Sequence, residues 1–306
     1  MNPAALSGAK ILVTGPTGQV ALPLTLSLAA ENDVWGLARF TDGAARARLE
    51  SAGVTCVVTD LETADFADVP TDFDYVLNLA VTKGGDADWD RDLAANAESI
   101  ALLMARTKPR AFLQCSSTAV YQHVGPTHAL TETDPLGDNH RMMFPTYSLA
   151  KIAAEVVARA AAREHGVPTT IARLNVPYGN NGGWPGWHLE FMKAGHPITL
   201  HPERPNRFNP IHEDDILATL PGLLGAASVP ATIVNWGGEP ASIEEWCALL
   251  GELTGLEPTF EETPDTIGSV FVDLTRMHEL VGDTTVGWRD GIRRMVEARH
   301  PELLSG

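Results

Sequence analysis

Cysteine is scarce in this chain. Its 306 residues include Cys56, Cys115 and Cys247 as the three cysteines, and no two of them form a CxxC pair. An odd, scattered set of this kind excludes a disulfide framework and a cysteine-based zinc site. The histidines have neither HxxxH nor HExxH spacing, so the sequence predicts no metal.

Basic residues are also few, with 22 Lys and Arg against 39 Asp and Glu, and the net charge is −17. Such a charge repels nucleic acid and anionic membranes, so neither is an expected partner. Long apolar runs are missing as well, which excludes a membrane span. The first ten residues are too weakly apolar for a signal peptide. We therefore expect a cytoplasmic protein that acts on a small molecule.

Short apolar runs are present, and helical patterns separate several of them. The runs lie at residues 10–13, 34–38, 54–58, 75–80 and 111–115. This alternation predicts an α/β fold with a doubly wound parallel sheet of the Rossmann type. We assign the dinucleotide-binding domain to residues 1–175, with a return segment at about 205–236. Residues 176–204 and 237–306 then form a small, discontinuous substrate-side lobe.

A glycine turn follows the first predicted strand, in the stretch Thr14-Gly-Pro-Thr-Gly-Gln-Val-Ala21. Gly15 allows the tight turn, Gly18 lets the backbone approach a pyrophosphate, and Ala21 lets the following helix pack closely. The helix N-terminus then faces the phosphates. This stretch predicts a dinucleotide site.

The second predicted strand ends at Ala38 and is followed by Arg39. Enzymes that prefer NAD usually have an acidic residue there, which binds the ribose 2′-hydroxyl. An arginine can instead pair with a 2′-phosphate. We therefore expect NADP(H), with NAD as the alternative cofactor and a solvated surface arginine as the alternative explanation of Arg39.

Tyr147 and Lys151 stand four residues apart, one turn from each other on a helix face. A nearby ammonium lowers the pKa of a phenol, which makes the pair a proton-transfer device. Ser117 ends a central strand and could hold a substrate oxygen that Tyr147 protonates. The alternatives are an amphipathic helix start for the pair and a turn or helix cap for Ser117.

These motifs, in this order, resemble the extended short-chain dehydrogenases/reductases of the NAD(P)-dependent epimerase/dehydratase type. The resemblance rests on TGPTGQVA, Asp60-Leu61, Asn78-Leu-Ala80, CSSTAVY, YSLAK and NPIHEDDI. It implies a catalytic Ser117, with Tyr147 as general acid/base and Lys151 as a ribose ligand. The remaining cofactor residues that it implies are Gly15, Thr17, Gly18, Gln19, Val20, Asp60, Leu61, Leu79, Ala80, Val81, Lys83 and Asn96, to which we add Asn175. A homodimer is expected from the resemblance alone.

The chain departs from the family pattern at two places. Thr118 and Ala119 replace the Asp-Glu pair that family dehydratases carry after the catalytic Ser/Thr, so sugar dehydration is not expected. Val176 occupies the position where nucleotide-sugar enzymes carry an asparagine, and this puts a nucleotide-sugar substrate in doubt. The expected substrate residues are Ser117, Thr118, Trp184, Trp187, His188 and Arg207. The two tryptophans stand in a glycine-rich stretch that we interpret as a loop, either lining a ligand or anchored to the core.

Two other polar features have both a structural and a functional interpretation. Asp60 either contacts adenine or forms a turn. The run His212-Glu-Asp-Asp215 looks like a metal cluster, but neighbouring side chains point in different directions, so we interpret it as a turn in which Asp214 or Asp215 caps the next helix.

The sequence thus predicts an NADP(H)-dependent oxidoreductase that interconverts a carbonyl and a secondary alcohol. The alternatives are an NAD-dependent (nucleotide-)sugar epimerase of the same family and a non-catalytic NADP-sensing protein.

Overall fold

The computed structural model describes residues 6–82 and 87–304. Strands and helices alternate through the first half of the chain. The strands are β1 Lys10–Thr14, β2 Asp33–Ala38, β3 Thr55–Val58, β4 Tyr75–Asn78, β5 Ala111–Ser117, β6 Thr169–Leu174, β7 Pro177–Gly179, β8 Gly182–Gly183, β9 Ile198–Leu200, β10 Arg207–Phe208, β11 Ile211–His212, β12 Thr232–Trp236, β13 Ala241–Ser242 and β14 Phe260–Glu262.

The helices fill the connections between these strands. They are α1 Ala21–Leu28, α2 Gly43–Ser51, α3 Trp89–Leu93, α4 Ser99–Thr107, α5 Tyr147–His165, α6 Trp184–Ala194, α7 Glu213–Gly225, α8 Ile243–Thr254, α9 Thr275–Val281 and α10 Trp288–Arg299. A π-helical turn, Ala94–Glu98, joins α3 to α4, and single 3₁₀ turns occupy Thr118–Val120 and Pro301–Leu303.

Seven strands form one parallel sheet in the order β12-β6-β5-β4-β1-β2-β3. The strand order reverses between β1 and β4, which is the place where open α/β sheets bind ligands. Thr14 is in register with Asn78, and Asn78 with Gln114. The residues that follow these strands therefore meet at one edge of the sheet. The predicted doubly wound parallel sheet is confirmed.

Apolar side chains cover the sheet and fill the C-terminal part of the chain. Two buried clusters pack on the sheet, one including Leu24 of α1 and the other Ile100 of α4. A third cluster lies around Trp246 of α8, Leu189 of α6 and Met295 of α10. This third cluster belongs to the segments that we assign to the substrate-side lobe, and the exact division into domains stays a prediction.

The glycine-rich stretch with two tryptophans is not a loop, so that prediction is wrong. It turns into α6 at Trp184, with Pro185 in the first helical turn, where a missing N–H costs nothing. Helix α8 begins with a reciprocal capping box that Ser242 and Glu245 form. Within the described residues, no helix is both long and apolar enough to cross a bilayer.

Candidate active site

A cavity of about 700 Å³ follows the carboxyl edge of the central sheet. It passes from Arg39 and Asp60 at one end, across the glycine turn, to Tyr147 and then to Trp187 at the other end. The predicted residues that line it are Gly15, Thr17, Gly18, Gln19, Val20, Arg39, Asp60, Leu61, Leu79, Ala80, Val81, Ser117, Thr118, Tyr147, Lys151, Asn175, Trp184 and Trp187. The structure therefore brings most of the predicted residues to one cavity.

The glycine turn has the shape that a pyrophosphate needs. Gly15 has φ +63°, and a Cβ there would lie 2.9 Å from the Cα of Ala80, so a side chain has no room. Helix α1 begins after Val20, and no side chain caps its N-terminus. In the first turn, the Leu22 N–H donates to the carbonyl of Gly18 at 2.8 Å and Pro23 has no N–H, so the N–H of Ala21 is the one of these three that is available to an anion. These residues fit a dinucleotide cofactor.

Hydrogen bonds hold the segment after β4 against this turn. The hydroxyl of Thr14 donates to Asn78 Oδ1 at 2.6 Å and accepts from the N–H groups of Leu79 and Ala80, both at 3.1 Å. Asn96 does not line the cavity among the described residues. Its amide makes two bonds to the backbone of cavity-lining Thr82, at 2.9 and 2.8 Å. Asn96 thus acts on the cofactor site through Thr82. Lys83, the other residue predicted here, lies outside the described residues.

The far end of the cavity from Tyr147 carries Arg39 and Asp60. In the described part of the chain, Arg39 makes no ion pair, so its guanidinium is available to a ligand. Asp60 Oδ1 accepts the N–H of Glu62 at 3.0 Å, as in an Asx turn, although the residue also lines the cavity. The turn is thus observed, and a contact of Asp60 with adenine stays a prediction.

Ser117, Tyr147 and Lys151 meet in the middle of the cavity. The Ser117 hydroxyl accepts the N–H of Ala119 at 3.1 Å and shares a side-chain hydrogen bond with Tyr147. Helix α5 starts at Tyr147, and the preceding Thr146 donates to the buried carboxylate of Asp92 at 2.6 Å. This buried bond anchors the start of the helix that carries Tyr147 and Lys151.

The predicted lowering of the Tyr147 pKa is wrong for this structure. Burial raises the pKa of Tyr147 to about 12, and the hydrogen bond with Ser117 offsets only part of that rise. The ammonium of Lys151 lies 6.0 Å from the centre of the Tyr147 ring and donates to the carbonyl of Cys115 at 2.9 Å. Burial also lowers the pKa of Lys151. Tyr147 is therefore a protonated phenol near neutral pH, ready to donate.

The substrate side of the cavity differs from the prediction at two residues. His188 does not line it; the ring is buried between Trp184 and Trp246, with centroids 6.0 and 5.8 Å away, and its Nδ1 accepts from Trp246 Nε1 at 2.8 Å. Arg207 is exposed and stacks on Phe271 at 5.6 Å, because its neighbour Phe208 takes the inward position on β10. Neither residue faces a ligand in this cavity.

Burial lowers the pKa of His188 from 6.5 to about 4. The unfolded chain therefore binds a proton between these pH values that the folded chain does not, and folding stability should fall as pH drops from about 6.5 to about 4. At 1.36 kcal/mol per pKa unit, the loss is about 3 kcal/mol. His188→Gln should remove this component from the pH dependence of the unfolding free energy, measured by urea titration. Parallel curves for the two proteins would contradict the assignment.

Asn175 and Val176 follow β6 and line the cavity. The Asn175 amide donates to the carbonyl of Val270 at 2.8 Å, and its oxygen accepts the N–H of Asn209 at 3.2 Å. Both ends of that amide thus hold neighbouring backbone segments, and a cofactor contact of Asn175 stays a prediction. Val176 occupies the position where nucleotide-sugar enzymes carry an asparagine, and its φ is +20°. Positive φ values are far commoner for asparagine than for a β-branched residue.

The His212 to Asp215 run is structural, as expected, but the capping residue is different. His212 itself caps α7, its Nδ1 accepting the N–H of Asp214 at 3.2 Å. Asp215 accepts the N–H groups of Thr285 and Val286 at 2.8 and 3.0 Å. The prediction that Asp214 or Asp215 is the cap is wrong, because the His212 imidazole already accepts the N–H at the start of the helix.

Three side chains of the types that bind metals lie close together, and they are His123, His201 and Glu203. Their spacing in the sequence does not reveal this group. His123 Nε2 and Glu203 Oε2 are already joined by a 2.8 Å hydrogen bond. A metal on Nε2 would move the ring proton to Nδ1, which is buried without a partner. We therefore assign no ion to this group.

Several lining residues had no signal in the sequence. They come from the segment before α5 and from the C-terminal part of the chain, and they are His140, Phe144, Phe208, Ile267 and Val270. The rings of His140 and Phe144 lie 5.9 and 6.1 Å from that of Tyr147. These two side chains of the irregular segment before α5 therefore pack against Tyr147.

The sequence and the fold of this chain were compared with those of known proteins. The model of the NAD dependent epimerase/dehydratase family matches residues 11–207. The chain belongs to this family. It is accordingly an enzyme of the extended short-chain dehydrogenase/reductase type. No curated protein sequence matches the chain.

Solved structures of similar fold include nucleotide-sugar enzymes. UDP-glucuronic acid 4-epimerase from Bacillus cereus, solved with UDP-glucuronic acid and NAD, has a TM-score of 0.80 at 20% identity, covering 94% of this chain and 98% of that one. MoeE5 with UDP-glucose and NAD has a TM-score of 0.80 at 22% identity, covering 96% and 99%. UDP-N-acetylglucosamine 4-epimerase from Methanobrevibacter ruminantium M1, in complex with UDP-N-acetylmuramic acid, has a TM-score of 0.83 at 16% identity, covering 97% and 100%. At these identities, the likeness is one of fold.

Proposed function

We propose that this protein moves a hydride reversibly between a nicotinamide cofactor and a secondary-alcohol carbon, and that it does so as an NAD-dependent epimerase of a sugar-like substrate. The observation that carries the chemistry is the meeting of Ser117, Tyr147 and Lys151 in the cavity that contains the glycine turn. The relatives support the epimerase version, because the Bacillus cereus epimerase and MoeE5 were solved with NAD. They favour it over the NADP-dependent reductase that the sequence suggested.

The residues of this chain would divide the work as follows. Ser117 holds the substrate oxygen, and Tyr147, once it is in its phenolate form, takes the proton from it and later returns it. Lys151 is the lining cation nearest to Tyr147, and its charge favours the phenolate form of Tyr147 that takes the proton. A bound nicotinamide supplies the hydride acceptor and donor. Epimerisation further requires the ketone form of the substrate to turn before the hydride returns to its other face.

An epimerase needs no exchange of cofactor, since the hydride that leaves the substrate returns to it. We therefore expect the purified protein to retain about one equivalent of NAD through gel filtration, released on denaturation and identified by chromatography. The Tyr147→Phe protein is the control, because loss of one hydroxyl outside the phosphate loop should leave the retained amount unchanged. Protein that emerges free of nucleotide and consumes added NADPH would contradict the epimerase version.

The second candidate is NADP(H)-dependent reduction of a carbonyl, and Arg39 favours it. No carboxylate follows β2, and the guanidinium lines the cavity without an ion-pair partner among the described residues. If a 2′-phosphate binds there, Arg39→Ala should weaken NADPH binding about tenfold or more, the worth of a charge-assisted hydrogen bond, and leave NADH binding nearly unchanged. Fluorescence titration measures both, with Arg110→Ala as control, since Arg110 pairs with Asp74 and neither residue lines the cavity. Tighter NADH binding by the unmodified protein would rule this candidate out.

A homodimer remains a proposal from the family resemblance. Leu149 and Val156 lie on one face of α5, seven residues apart, and are 40% and 58% exposed. Two apolar side chains in that position suit a helix-to-helix contact.

A further inference from the structure

The part of the cavity beyond Tyr147 has an apolar wall. Its members come from the segment before α5, from α6, from β10 and from the segment before α9, and they are Phe144, Trp184, Trp187, Phe208, Ile267 and Val270. Trp184 packs edge-on against Phe208 at 5.0 Å. Trp187 stands at the outer end of this wall with 56% of its surface exposed, although it lines the cavity. Large apolar surface of this kind is what a ligand-binding cavity offers to a nonpolar group.

Basic side chains are missing from the same wall. Among the described lining residues, the cations are Arg39 and Lys151, and both lie where the cofactor is expected. Arg207 faces outward, as described above, and Arg204 is engaged by Glu262 at 2.5 Å. A diphosphate in this half of the cavity would therefore be buried without a cation from the described residues, which is costly for an ionised group. The net charge of −17 adds a general repulsion.

We infer that the substrate is an uncharged cyclic alcohol or ketone that is sugar-like at the reacting ring and carries an apolar group beyond Tyr147, and that it carries no nucleoside diphosphate. The inference rests on the proposed function for the reaction at Tyr147, but the apolar wall alone selects the substrate class. Trp187 is the specificity-determining residue, because its exposed ring is the part of the wall that a bound apolar group would cover. Met143 extends the apolar rim: it is 41% exposed and contacts Thr266, next to Ile267. Methionine adapts readily to ligands of different shape.

Two titrations of the cofactor-loaded protein test this inference. In one, UDP-glucose is titrated by calorimetry; in the other, cyclohexanone and its 4-alkyl derivatives are titrated by quenching of tryptophan fluorescence. We expect no saturable binding of UDP-glucose. We expect saturable binding of the ketones, tightening about fourfold for each methylene that becomes buried. Trp187→Ala should abolish this dependence on chain length.

Phe191→Ala is the matched control. Phe191 lies one turn further along α6, is 43% exposed and is not among the lining residues, so its loss should leave ketone binding unchanged. Saturable binding of UDP-glucose, failure of the ketones to bind, or equal effects of the two variants would each overturn the inference. Ketones that bind as expected but are never reduced by protein loaded with NADH, which supplies the hydride, would instead count against the proposed function, so the two failures are distinguishable.

Discussion

Tyr147→Phe should reduce turnover at least about 100-fold, and up to about 10⁴-fold, while cofactor binding stays unchanged. The reason is that the substitution removes one hydroxyl from the middle of the cavity and nothing from the glycine turn that holds the phosphates. General acid–base catalysis by a positioned side chain contributes 10²–10⁴-fold. Turnover is measured as the change in nicotinamide absorbance or, when no net oxidation occurs, as the appearance of the second epimer by chromatography.

The matched control for this prediction is Tyr178→Phe. Tyr178 is buried, does not line the described cavity, and donates only a long hydrogen bond of 3.4 Å to the carbonyl of Trp288. Its loss should leave turnover close to that of the unmodified protein. Comparable turnover in the Tyr147→Phe protein and the unmodified protein would remove Tyr147 from the reaction and, with it, the proposed function.

The Tyr147→Phe experiment also tests the non-catalytic alternative, in which the protein senses NADP. Such a protein would bind cofactor and show no turnover with either tyrosine or phenylalanine at this position. The intact set of Ser117, Tyr147 and Lys151 at the cavity argues for an enzyme, as does membership of the epimerase/dehydratase family.

The sheet and the cofactor half of the site could be predicted because their signals are local. A buried parallel strand shows itself as a short apolar run, and the glycine turn and the YxxxK pair are contiguous in the chain. Val34 to Ala38 and Tyr75 to Asn78 lie in strands that the runs of apolar residues had marked. Because all parallel strands end at one edge, the sequence also predicted that the residues after them would meet.

The substrate half could not be predicted in the same way, because its residues meet only through tertiary packing. His188 was taken for a ligand residue, yet the fold encloses it between Trp184 and Trp246, which follows 58 residues later. Ile267 and Val270 reach the cavity from a segment without regular structure, which has no periodicity to detect. The two tryptophans stand just after two glycines, and the turn-forming character of the glycines concealed the helix that begins at Trp184.

The direction of the Tyr147 pKa shift could not be predicted from the sequence. Helical spacing predicted correctly that Lys151 would lie one turn from Tyr147, but spacing does not reveal where the ammonium points. The carbonyl of Cys115 accepts a hydrogen bond from it, so burial determines the pKa of the phenol in this structure. Sequence can indicate which residues are neighbours, whereas the sign of a pKa shift depends on hydrogen bonds that only the structure contains.

A buried ion pair connects the elements that carry the catalytic residues. Glu155 lies on α5, one turn after Lys151, and receives two hydrogen bonds from Arg173 of β6 at 2.9 and 2.8 Å. It also accepts from Ser116, next to Ser117 on β5, at 2.6 Å. Both charged side chains are almost completely buried, at 3% and 4% exposure. Burial alone would lower the pKa of Arg173, but the hydrogen bond and charge of Glu155 raise it above its ordinary value.

Glu155→Gln should therefore destabilise the protein by about 3–5 kcal/mol, since removing one partner leaves the Arg173 cation buried and uncompensated. This is a large part of the 5–15 kcal/mol that usually holds a folded protein together. The unfolding free energy from urea titration measures it. Glu50→Gln is the control, because it breaks the exposed pair of Glu50 with Arg46 and should leave the unfolding midpoint unchanged. The prediction would be contradicted if the unfolding free energies of the Glu155→Gln protein and the unmodified protein differed by less than about 1 kcal/mol.

The double variant Glu155→Leu with Arg173→Met separates charge from shape. Replacing a buried ion pair by apolar side chains of similar volume is often neutral or stabilising, so the double variant should regain much of the stability that Glu155→Gln loses. Its turnover should nevertheless remain low, because Ser116 then has no carboxylate to hold β5 against α5, and Ser117 and Tyr147 are carried by those two elements. Full activity in a stable double variant would mean that apolar packing alone aligns the catalytic residues, and that the ion pair contributes only to the free energy of folding.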